Sequence, residues 1–569
     1  MISDTVAAPA PAYDLSYPHA LAERTHDFEW KWVLLLGLIG LIWFGALGYR
    51  PLAEPDEGRY AEIPREMVVS GDFVTPRLNG IKYFEKPPLQ YWMTAASYKA
   101  FGVNEWAARL WPALTGFLGA LVVWWVARQW LGEMGAATAA LFVLSSPYYA
   151  FFSQVLSLDI GVTFFIGAGM LLFVRAQSAP DDSSEQRSGM LMAWASLALA
   201  VLSKGLIGIV LPALVVAAYV AAERSIAVLR RMHWLPGLAV FSLIVLPWFI
   251  LVSQRNPEFP EFFFIHEHFA RYTSSIHHKA EPFWYFFPIL LVGMLPWTWL
   301  AVEGVREGWR KAAPASGLRV ERFLILWAVC TVGFFSISGS KLPGYVLPAV
   351  APLAILAAQR AMSLSARGIL VRVIPGAVLM GVLVFAGTEL MEFAQEDSVS
   401  FKYFEHYAKW MEVSAIAILA VAALVALIGP RTRTLGILCM TMLIATQACV
   451  AGFDSLSPLR SAHHIAGVVR THMRPGTVVF EVGRYDQGLP FYLRSTVTLA
   501  EVGGELEFGV KQEPYRMLAT PEAFESAWTT APSAIAVMDP ASHEKYVARG
   551  LAAKVLARDP KRVVVFKLE

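Results

Sequence analysis

Long apolar runs, separated by short polar connections, occupy the chain from about residue 32 to about residue 455. A helix needs roughly 20 apolar residues to cross the hydrocarbon core of a bilayer, and most of these runs approach that length. We therefore predict a mainly α, polytopic membrane protein with about thirteen transmembrane helices. They begin near Trp32, Trp106, Met134, Ile160, Met190, Leu206, Trp234, Trp284, Phe323, Val346, Val373, Val413 and Leu435.

The pattern changes towards the end of the chain, where charged and turn-forming residues return. Short β-branched runs alternate there with amphipathic stretches, which is typical of an α/β domain. The runs are residues 477–480, 496–499, 534–537 and 563–566. We predict two domains, a transmembrane domain over residues 1–455 and an α/β domain over residues 456–569. No glycine-rich nucleotide fingerprint follows a strand, so a structural cap is the simplest interpretation of the second domain.

Basic residues indicate which loops face the cytoplasm. Arginines and lysines recur in every second short loop, and the largest group lies between Arg306 and Arg322. The positive-inside rule makes these loops cytoplasmic. The first loop (residues 50–105), the second loop (residues 254–283) and the C-terminal domain are then expected outside, with the N-terminus inside. Residues 1–29 lack the basic start and apolar core of a cleavable signal, so the first helix is expected to be retained.

Composition supports a membrane protein and adds little else. Apolar residues make up 56% of the chain, charged residues 16%, and the net charge is +2. We expect membrane lipids and no nucleic acid as partners. The three cysteines, Cys330, Cys439 and Cys449, all fall within apolar runs. They indicate core packing and no disulfide framework.

The first loop contains the densest group of candidate functional residues. The adjacent acids Asp56 and Glu57 follow the first apolar helix, and Arg59 lies within helical reach of Asp56. An exposed ion pair would contribute little to stability, but charges beside hydrocarbon are costly to keep, which favours a function. Residues 60–70 are expected to form a short amphipathic helix in the membrane interface.

A second motif in this loop runs from Tyr83 to Pro88. Its paired prolines fix the backbone and hold Glu85 and Lys86 at a defined angle. Lys86 is suited to act as a point charge on a phosphate, and we include Tyr83 among the substrate-binding candidates. A rigid connector is the alternative, and it leaves Lys86 unexplained.

The second loop contains two histidines and an arginine. His266 and His268 could bind zinc together with a distant carboxylate such as Glu85, provided that the segment is extended. This spacing is a less specific signal than an established metal-binding motif. We therefore expect no required cofactor and retain a divalent metal as an alternative. Arg271 is the better candidate, as a bidentate phosphate clamp.

Further polar residues interrupt apolar sequence near the expected outer face. Asp159 is too short to reach far towards water, which favours a polar cavity around it. Lys204 and Lys341 either extend to the interface or bind a phosphate. Tyr345, in the segment that follows Lys341, is also included among the substrate-binding candidates.

The first-loop motifs carry a resemblance to a known family. They resemble the first periplasmic loop of bacterial aminoarabinose transferases, which are membrane glycosyltransferases of the GT-C fold in the protein-O-mannosyltransferase-like superfamily. The resemblance extends over the whole chain, although its C-terminal part is less specific. The motifs are Asp56–Ile63, Gly71–Gly80, Tyr83–Pro88 and Tyr91-Trp92.

The resemblance implies an inverting enzyme of the bacterial inner membrane. Members move 4-amino-4-deoxy-L-arabinose from undecaprenyl phosphate to lipid A phosphates, which confers polymyxin resistance. Asp56 would be the acid at the reaction centre, and Asp159 loosely matches a second acid of related transferases. Lys86 and Arg271 would hold the carrier phosphate. We add Arg59 and Lys204 as further cations, and we expect a monomer.

Two other functions remain open. A related transferase could move another sugar, such as mannose, to a protein or glycan hydroxyl, because a fold does not fix its substrate. In that reaction Asp56 would have to act as general base. A transporter of lipid-linked sugars should carry paired charges near the bilayer midplane and repeated halves, whereas the charges here crowd the ends of the spans.

Overall fold

The computed structural model describes residues 30–270, 281–311, 318–395, 401–429 and 432–568. The part before residue 456 is helical apart from one two-stranded hairpin. Its α-helices are Trp30–Gly45, Asp56–Ser70, Leu89–Phe101, Glu105–Ser145, Pro147–Ser153, Asp159–Ser178, Ser184–Lys204, Ile207–Glu223, Ala227–Arg230, Trp234–Arg255, Phe286–Gly293, Thr298–Arg310, Val320–Ile337, Val350–Met362, Ala366–Gln395, Phe401–Ile428 and Thr432–Gly452. A π-helix spans Glu261–Ala270, and 3-10 helices span Pro343–Ala349 and Phe453–Leu456.

The described ranges contain eight helices long and apolar enough to cross a membrane, or nine if one bent pair counts as a single span. The longest, Glu105–Ser145, has a non-helical residue at Gly132 (φ 67°, ψ 176°). Large apolar side chains face outward, and Leu235 is 83% exposed. The prediction of a multi-pass membrane protein is confirmed. Helical segments lie along all the predicted spans, but several are short, so the count of about thirteen stays a prediction.

The helices of the transmembrane domain pack through small residues and aromatic rings. Gly169 on one helix faces Leu197 on the next, where a Cβ atom would lie only 2.7 Å from a leucine methyl carbon. Trp297 is fully buried and stacks on Phe142 with 4.1 Å between ring centroids. Such close packing replaces the hydrophobic driving force that is missing between helices in lipid.

The helix predicted over residues 60–70 is present but begins earlier, at Asp56, and ends at Ser70. Glu62 and Ile63 are fully buried, and a Cβ atom at Gly58 would lie 2.6 Å from the backbone nitrogen of Gly488. The helix therefore packs against the C-terminal domain on one side, and its predicted position at the membrane interface stays a prediction. An amphipathic pattern shows that one face is covered, but it does not show whether lipid or protein covers it.

A hairpin in the first loop also docks onto the C-terminal domain. Strands β1 (Arg77–Leu78) and β2 (Ile81–Lys82) are antiparallel, and Asn79 and Gly80 between them have φ of 55° and 75°. Two successive residues with positive φ favour Asn-Gly in such a turn. The Asn79 side chain exchanges two hydrogen bonds, of 2.9 and 2.8 Å, with the backbone of Val497. The turn thus fixes this part of the loop to the second domain.

The C-terminal part is an α/β domain, as predicted. Its sheet has the order β5-β4-β3-β6-β8-β7; β5, β4, β3 and β6 are parallel, and β8 and β7 pair antiparallel. The predicted runs correspond to β3, β4, β6 and β8. The strands are β3 Val478–Val482, β4 Thr498–Ala500, β5 Met517–Leu518, β6 Ala534–Met538, β7 Ala553–Arg558 and β8 Val563–Lys567. The α-helices are Ser457–Arg460, His463–His472, Leu489–Leu493, Glu507–Gln512, Pro521–Thr530 and Pro540–Ala548, and a 3-10 helix spans Pro514–Arg516.

A buried ionic cluster joins the two domains. Arg562 is fully buried and donates hydrogen bonds to Glu54 at 2.9 Å, to Asp559 at 3.0 Å and to Asp486. Glu481, in the central strand β3, accepts from the backbone nitrogen of Asp486 at 3.1 Å. Its second carboxylate oxygen has no hydrogen-bond partner in the described chain. Acids therefore outnumber the cations that contact them.

We expect the stability of this domain junction to fall as the pH rises. Burial, followed by the charge of Asp486, raises the pKa of Glu54 to about 8 and that of Glu481 well above its usual range. Since the unfolded pKa of a glutamate is about 4.3, this contribution is fully present below that pH and is lost as the pH rises through the folded pKa of each group, which for Glu54 is about 8. Glu481→Gln should flatten the pH dependence of thermal unfolding above about pH 4.3. Glu544→Gln, on an exposed surface, is the control and should keep the wild-type slope; an unchanged slope in Glu481→Gln would contradict the assignment.

Candidate active site

The adjacent acids Asp56 and Glu57 have different environments. Glu57 is buried and accepts hydrogen bonds from Arg50 at 2.5 and 3.0 Å and from Arg109 at 2.7 and 3.0 Å. It also accepts from the backbone nitrogens of Ala53 at 2.8 Å and Leu156 at 3.0 Å. Burial alone would raise its pKa, but Arg109 and Arg50 outweigh burial and hold the pKa of Glu57 well below its usual range. Glu57 is therefore structural and anchors the start of the helix Asp56–Ser70.

Asp56 occupies the first residue of that helix and faces open space. Its side chain is 57% exposed and pairs with Arg59. It also lines a cavity of about 180 Å³ between the first loop and the ends of two membrane-domain segments, to which Phe151 and Val450 contribute. Asp56 is thus a carboxylate held in place by a rigid neighbour and accessible to a ligand.

Arg59 is the centre of an ionic group that includes the C-terminal domain. It donates to Tyr83 Oη at 2.9 Å, to Asp56 and to Glu505, and Glu85 lies 4.0 Å away. The positive charge of Arg59 is already balanced by these carboxylates. Arg59 is therefore better suited to position Asp56 than to bind a phosphate. Glu505 was not predicted, because no local signal connects it to a loop that lies 446 positions earlier.

Lys86 lies where the first and second loops meet. Its ammonium nitrogen donates to the backbone oxygen of Glu85 at 2.9 Å and to Glu267 Oε2 at 3.1 Å. A second contact between the loops joins Lys82 to Glu258 at 2.7 Å. The first and second loops are therefore in contact with each other. Arg271 lies outside the described residues, so its predicted role stays a prediction.

The predicted zinc site has no support in the described residues. The segment that holds His266 is a π-helix and not extended, so the spacing loses its rationale. The His266 ring stacks on Phe262, and Glu85 lies near Arg59 and Lys86. The side chain of His268 is outside the described part. Among the described side chains, no three His, Cys, Asp or Glu residues form a group that could hold a metal.

Asp159, Lys204 and Tyr345 form a second group. Lys204 donates to Asp159, and its ammonium nitrogen lies 4.8 Å from the centroid of the Tyr345 ring. Gly344 permits this packing, since a Cβ atom there would lie 2.6 Å from the Asp159 carboxylate carbon. Asp159 thus has an ion-pair partner where we expected only a polar cavity. Lys341 is buried and donates to the backbone oxygen of Ser338 at 2.8 Å, which explains it without a ligand.

The group around Asp56 and the group around Asp159 both border the same hydrophobic cluster. Leu158, which precedes Asp159, is buried in the same cluster as Tyr83, and this cluster continues into the C-terminal domain through Leu506. Most of the predicted residues that the structure describes therefore gather in two ion-pair groups. One surrounds Asp56, and the other lies at the start of the helix Asp159–Ser178.

Comparison with solved structures identifies the family. ArnT from Cupriavidus metallidurans, solved bound to undecaprenyl phosphate, is 35% identical to this chain and superposes with a TM-score of 0.88. The match covers 95% of this chain and 98% of that one. The chain belongs to the ArnT family. Residues 30–263 match the family model of dolichyl-phosphate-mannose-protein mannosyltransferases, and residues 465–567 match the aminoarabinose transferase C-terminal domain, as expected of an ArnT protein.

Curated relatives agree with this membership of the ArnT family. The undecaprenyl phosphate-alpha-4-amino-4-deoxy-L-arabinose arabinosyl transferase of Edwardsiella ictaluri is 37% identical over 331 residues, which cover 58% of each chain. The enzyme of the same name from Aeromonas salmonicida is 36% identical over 343 residues, 59% of this chain and 61% of that one. The chain thus matches less than two thirds of the length of these relatives. The resemblance predicted from the first loop is confirmed.

Proposed function

We propose that this protein transfers 4-amino-4-deoxy-L-arabinose from undecaprenyl phosphate to a phosphate of lipid A, with inversion. The reaction would take place at the periplasmic face of the inner membrane, on a monomer whose N-terminus is cytoplasmic. Membership of the ArnT family supports the proposal, as does the similarity to an ArnT solved with undecaprenyl phosphate. The enzyme would confer polymyxin resistance.

One observation about this chain carries the proposal: an accessible carboxylate stands among cations at the ends of apolar helices. Asp56 lies at the edge of a cavity. Lys86 and Lys204 are each held in place by an ion pair with a carboxylate, Glu267 and Asp159 respectively. A sugar that leaves a lipid phosphate increases the negative charge on that phosphate. Preorganised cations stabilise this charge in the transition state, and cations at the ends of apolar helices would be suited to meet the headgroup of a lipid carrier.

Asp56 needs no proton-abstracting role if the acceptor is a phosphate, because that phosphate is already ionised near neutral pH. Its carboxylate would then orient the acceptor, stabilise positive charge on the sugar ring or contact the sugar's amine. Asp159, paired with Lys204, would position the cation and take no direct part in bond formation. Arg271 remains a proposed clamp on the carrier phosphate.

We expect Lys204→Gln to weaken donor binding. The lysine's only hydrogen-bond acceptor among the described residues is Asp159, and an ammonium group has three donors, so it can also bind a phosphate. A lost charge-assisted hydrogen bond should raise the KM for the undecaprenyl donor about tenfold or more. Lys341→Gln is the matched control, since that lysine bonds to a backbone oxygen. Equal donor KM values in both variants would contradict the assignment.

A second function is favoured by one observation. The match of residues 30–263 to protein mannosyltransferases is compatible with transfer of another sugar to a hydroxyl, with Asp56 as general base. A transporter fits less well, because the charged groups lie at helix ends.

The test is mass spectrometry of lipid A from a host that makes the aminoarabinose donor but lacks its own transferase. Cells that express the wild-type chain should carry aminoarabinose on lipid A, whereas cells with an empty vector or with Asp56→Ala should not. Unmodified lipid A from well-expressed, folded wild-type protein would contradict the proposal. Appearance of the donor's sugar on protein or glycan would instead support the second function.

A further inference from the structure

The position of the Asp56 carboxylate depends on one neighbouring side chain. Among the described residues, Arg59 is the only hydrogen-bond partner of the Asp56 side chain, and it donates to Oδ1. Both residues lie at the start of the helix Asp56–Ser70, and the Asp56 side chain is otherwise largely exposed. Whatever fixes the guanidinium group of Arg59 therefore also fixes this carboxylate.

The guanidinium group of Arg59 is divided between two sides. Its Nη2 atom donates to Asp56, whereas its Nη1 atom donates to Tyr83 Oη at 2.9 Å and to Glu505. Its Nε atom is buried and has no hydrogen-bond partner in the described part of the chain. Glu85 lies 4.0 Å from Nη1, beyond hydrogen-bonding distance. A charge-assisted hydrogen bond is about twice as strong as a neutral one, so Glu505 is the strongest of the contacts that hold Nη1 away from Asp56.

Glu505 is itself held in place by the C-terminal domain. Gln487 Nε2 donates to its Oε1 at 2.5 Å, while its Oε2 accepts from Arg59. The following residue, Leu506, is buried in the hydrophobic cluster that also contains Tyr83. Both carboxylate oxygens of Glu505 are therefore in use, and the backbone beside it is anchored.

The loop that carries Gln487 lies directly against the same helix. A Cβ atom at Gly58 would lie 2.6 Å from the backbone nitrogen of Gly488 and 2.9 Å from the carbonyl carbon of Gln487. Such a close approach of two backbones requires a glycine. This contact sets the distance between the C-terminal domain and the helix, which allows the Glu505 side chain to reach Arg59.

We propose that Glu505 is a positioning residue of the transfer reaction. It holds Nη1 of Arg59, so that only Nη2 is available to Asp56 and the second oxygen of Asp56 stays free for a substrate. The proposal rests on the proposed function, in which Asp56 acts at the reaction centre. It also gives the C-terminal domain a role beyond that of a structural cap, since this domain would set the geometry of the site.

The loss of the Glu505 charge would change the pairing of Arg59. Both terminal nitrogens could then turn to Asp56 and form the bidentate pair that arginine and carboxylate groups favour. This pair would occupy both oxygens of Asp56. Substrates would still bind, but the carboxylate would no longer be aligned with them.

The first test compares Glu505→Gln with Glu513→Gln. Each substitution removes a carboxylate of the C-terminal domain that pairs with an arginine of the first loop, Arg59 for Glu505 and Arg77, at 2.9 Å, for Glu513. We expect kcat to fall about tenfold or more in Glu505→Gln, the equivalent of one charge-assisted hydrogen bond, while the KM values for donor and acceptor stay unchanged. Glu513→Gln should keep the wild-type kcat. Equal kcat values in the two variants would show that Glu505 only docks the domain and would overturn the proposal.

A double-mutant cycle shows whether Glu505 acts through Asp56. Glu505→Gln is measured in the wild-type background and in the Asp56→Asn background. The effects of independent sites multiply, whereas residues that act as a unit lose little more when the second is removed. We expect no further loss of kcat in the double variant. A further loss of about tenfold would show that Glu505 acts independently of Asp56 and would overturn the proposal.

A structure of each variant separates this proposal from the proposed function, because it requires no turnover. In Glu505→Gln we expect both terminal nitrogens of Arg59 within hydrogen-bonding distance of Asp56, and in Glu513→Gln the wild-type arrangement. An Arg59 that keeps its wild-type position in Glu505→Gln would overturn the proposal. A wild type that transfers no aminoarabinose, combined with the expected movement of Arg59 in Glu505→Gln, would refute the proposed function and support the control of Asp56 by Glu505.

Discussion

Asp56→Asn is expected to lower the rate of transfer by about 100-fold or more without changing the fold. The side chain is exposed and contacts Arg59, so the substitution removes a charge from the proposed reaction centre and disrupts no buried contact. Removal of one group that stabilises a transition state electrostatically typically costs a factor of about 100 to 1,000 in kcat. Turnover of the purified protein measures the first effect, and thermal unfolding measures the second.

The control for this variant is the same substitution elsewhere in the first loop. Asp72 accepts hydrogen bonds from the backbone nitrogens of Val74 at 2.9 Å and Thr75 at 3.2 Å, and an asparagine oxygen can accept the same bonds. Asp72→Asn should therefore retain most of the activity. Full activity of Asp56→Asn would remove Asp56 from the reaction centre.

Glu57→Gln, in contrast to Asp56→Asn, is expected to destabilise the protein strongly. The substitution removes the only charge that balances Arg50 and Arg109 within this network, and both arginines are almost completely buried. The loss of one partner of a buried ion pair typically costs about 3–5 kcal/mol. The thermal unfolding temperature of the detergent-solubilised protein should fall sharply.

A second variant distinguishes charge from packing at this position. Arg109→Met in the Glu57→Gln background removes one of the two unbalanced guanidinium groups, so it should recover part of the lost stability. An unfolding temperature equal to the wild type in the single variant would show that the network contributes nothing. The glutamate's pKa lies below its usual range, so its contribution is complete above about pH 4.3 and is lost as the pH falls towards the lower, folded value.

Much of the fold could be predicted because the signals are local. A run of about 20 apolar residues indicates a span wherever it occurs, and β-branched runs such as 534–537 indicated the central strands of the C-terminal sheet. Strand β7 gave no such signal, because Ala553–Arg558 includes charged residues and lies at the sheet's edge. The length of an apolar run did not determine the number of crossings, since a helix can bend or break, as at Gly132.

The candidate site could be predicted only in part, because its contacts are distant in sequence. The first-loop motif predicts Asp56, Lys86 and Tyr83 as site residues, but the sequence does not distinguish Asp56 from Glu57, because the partner Arg109 is distant along the chain. Glu505, which contacts Arg59, had no signal at all, since the polar residues of this C-terminal domain resemble any other solvated surface. The zinc hypothesis assumed an extended backbone around His266, and the backbone there is helical.

The most direct test of the central claim uses purified protein in lipid vesicles, with undecaprenyl-phosphate-linked aminoarabinose and lipid A. Mass spectrometry of the lipid products should show aminoarabinose on lipid A phosphate with the wild type, and none above background with Asp56→Asn. Folded wild-type protein that leaves lipid A unmodified in the presence of the donor would contradict the account.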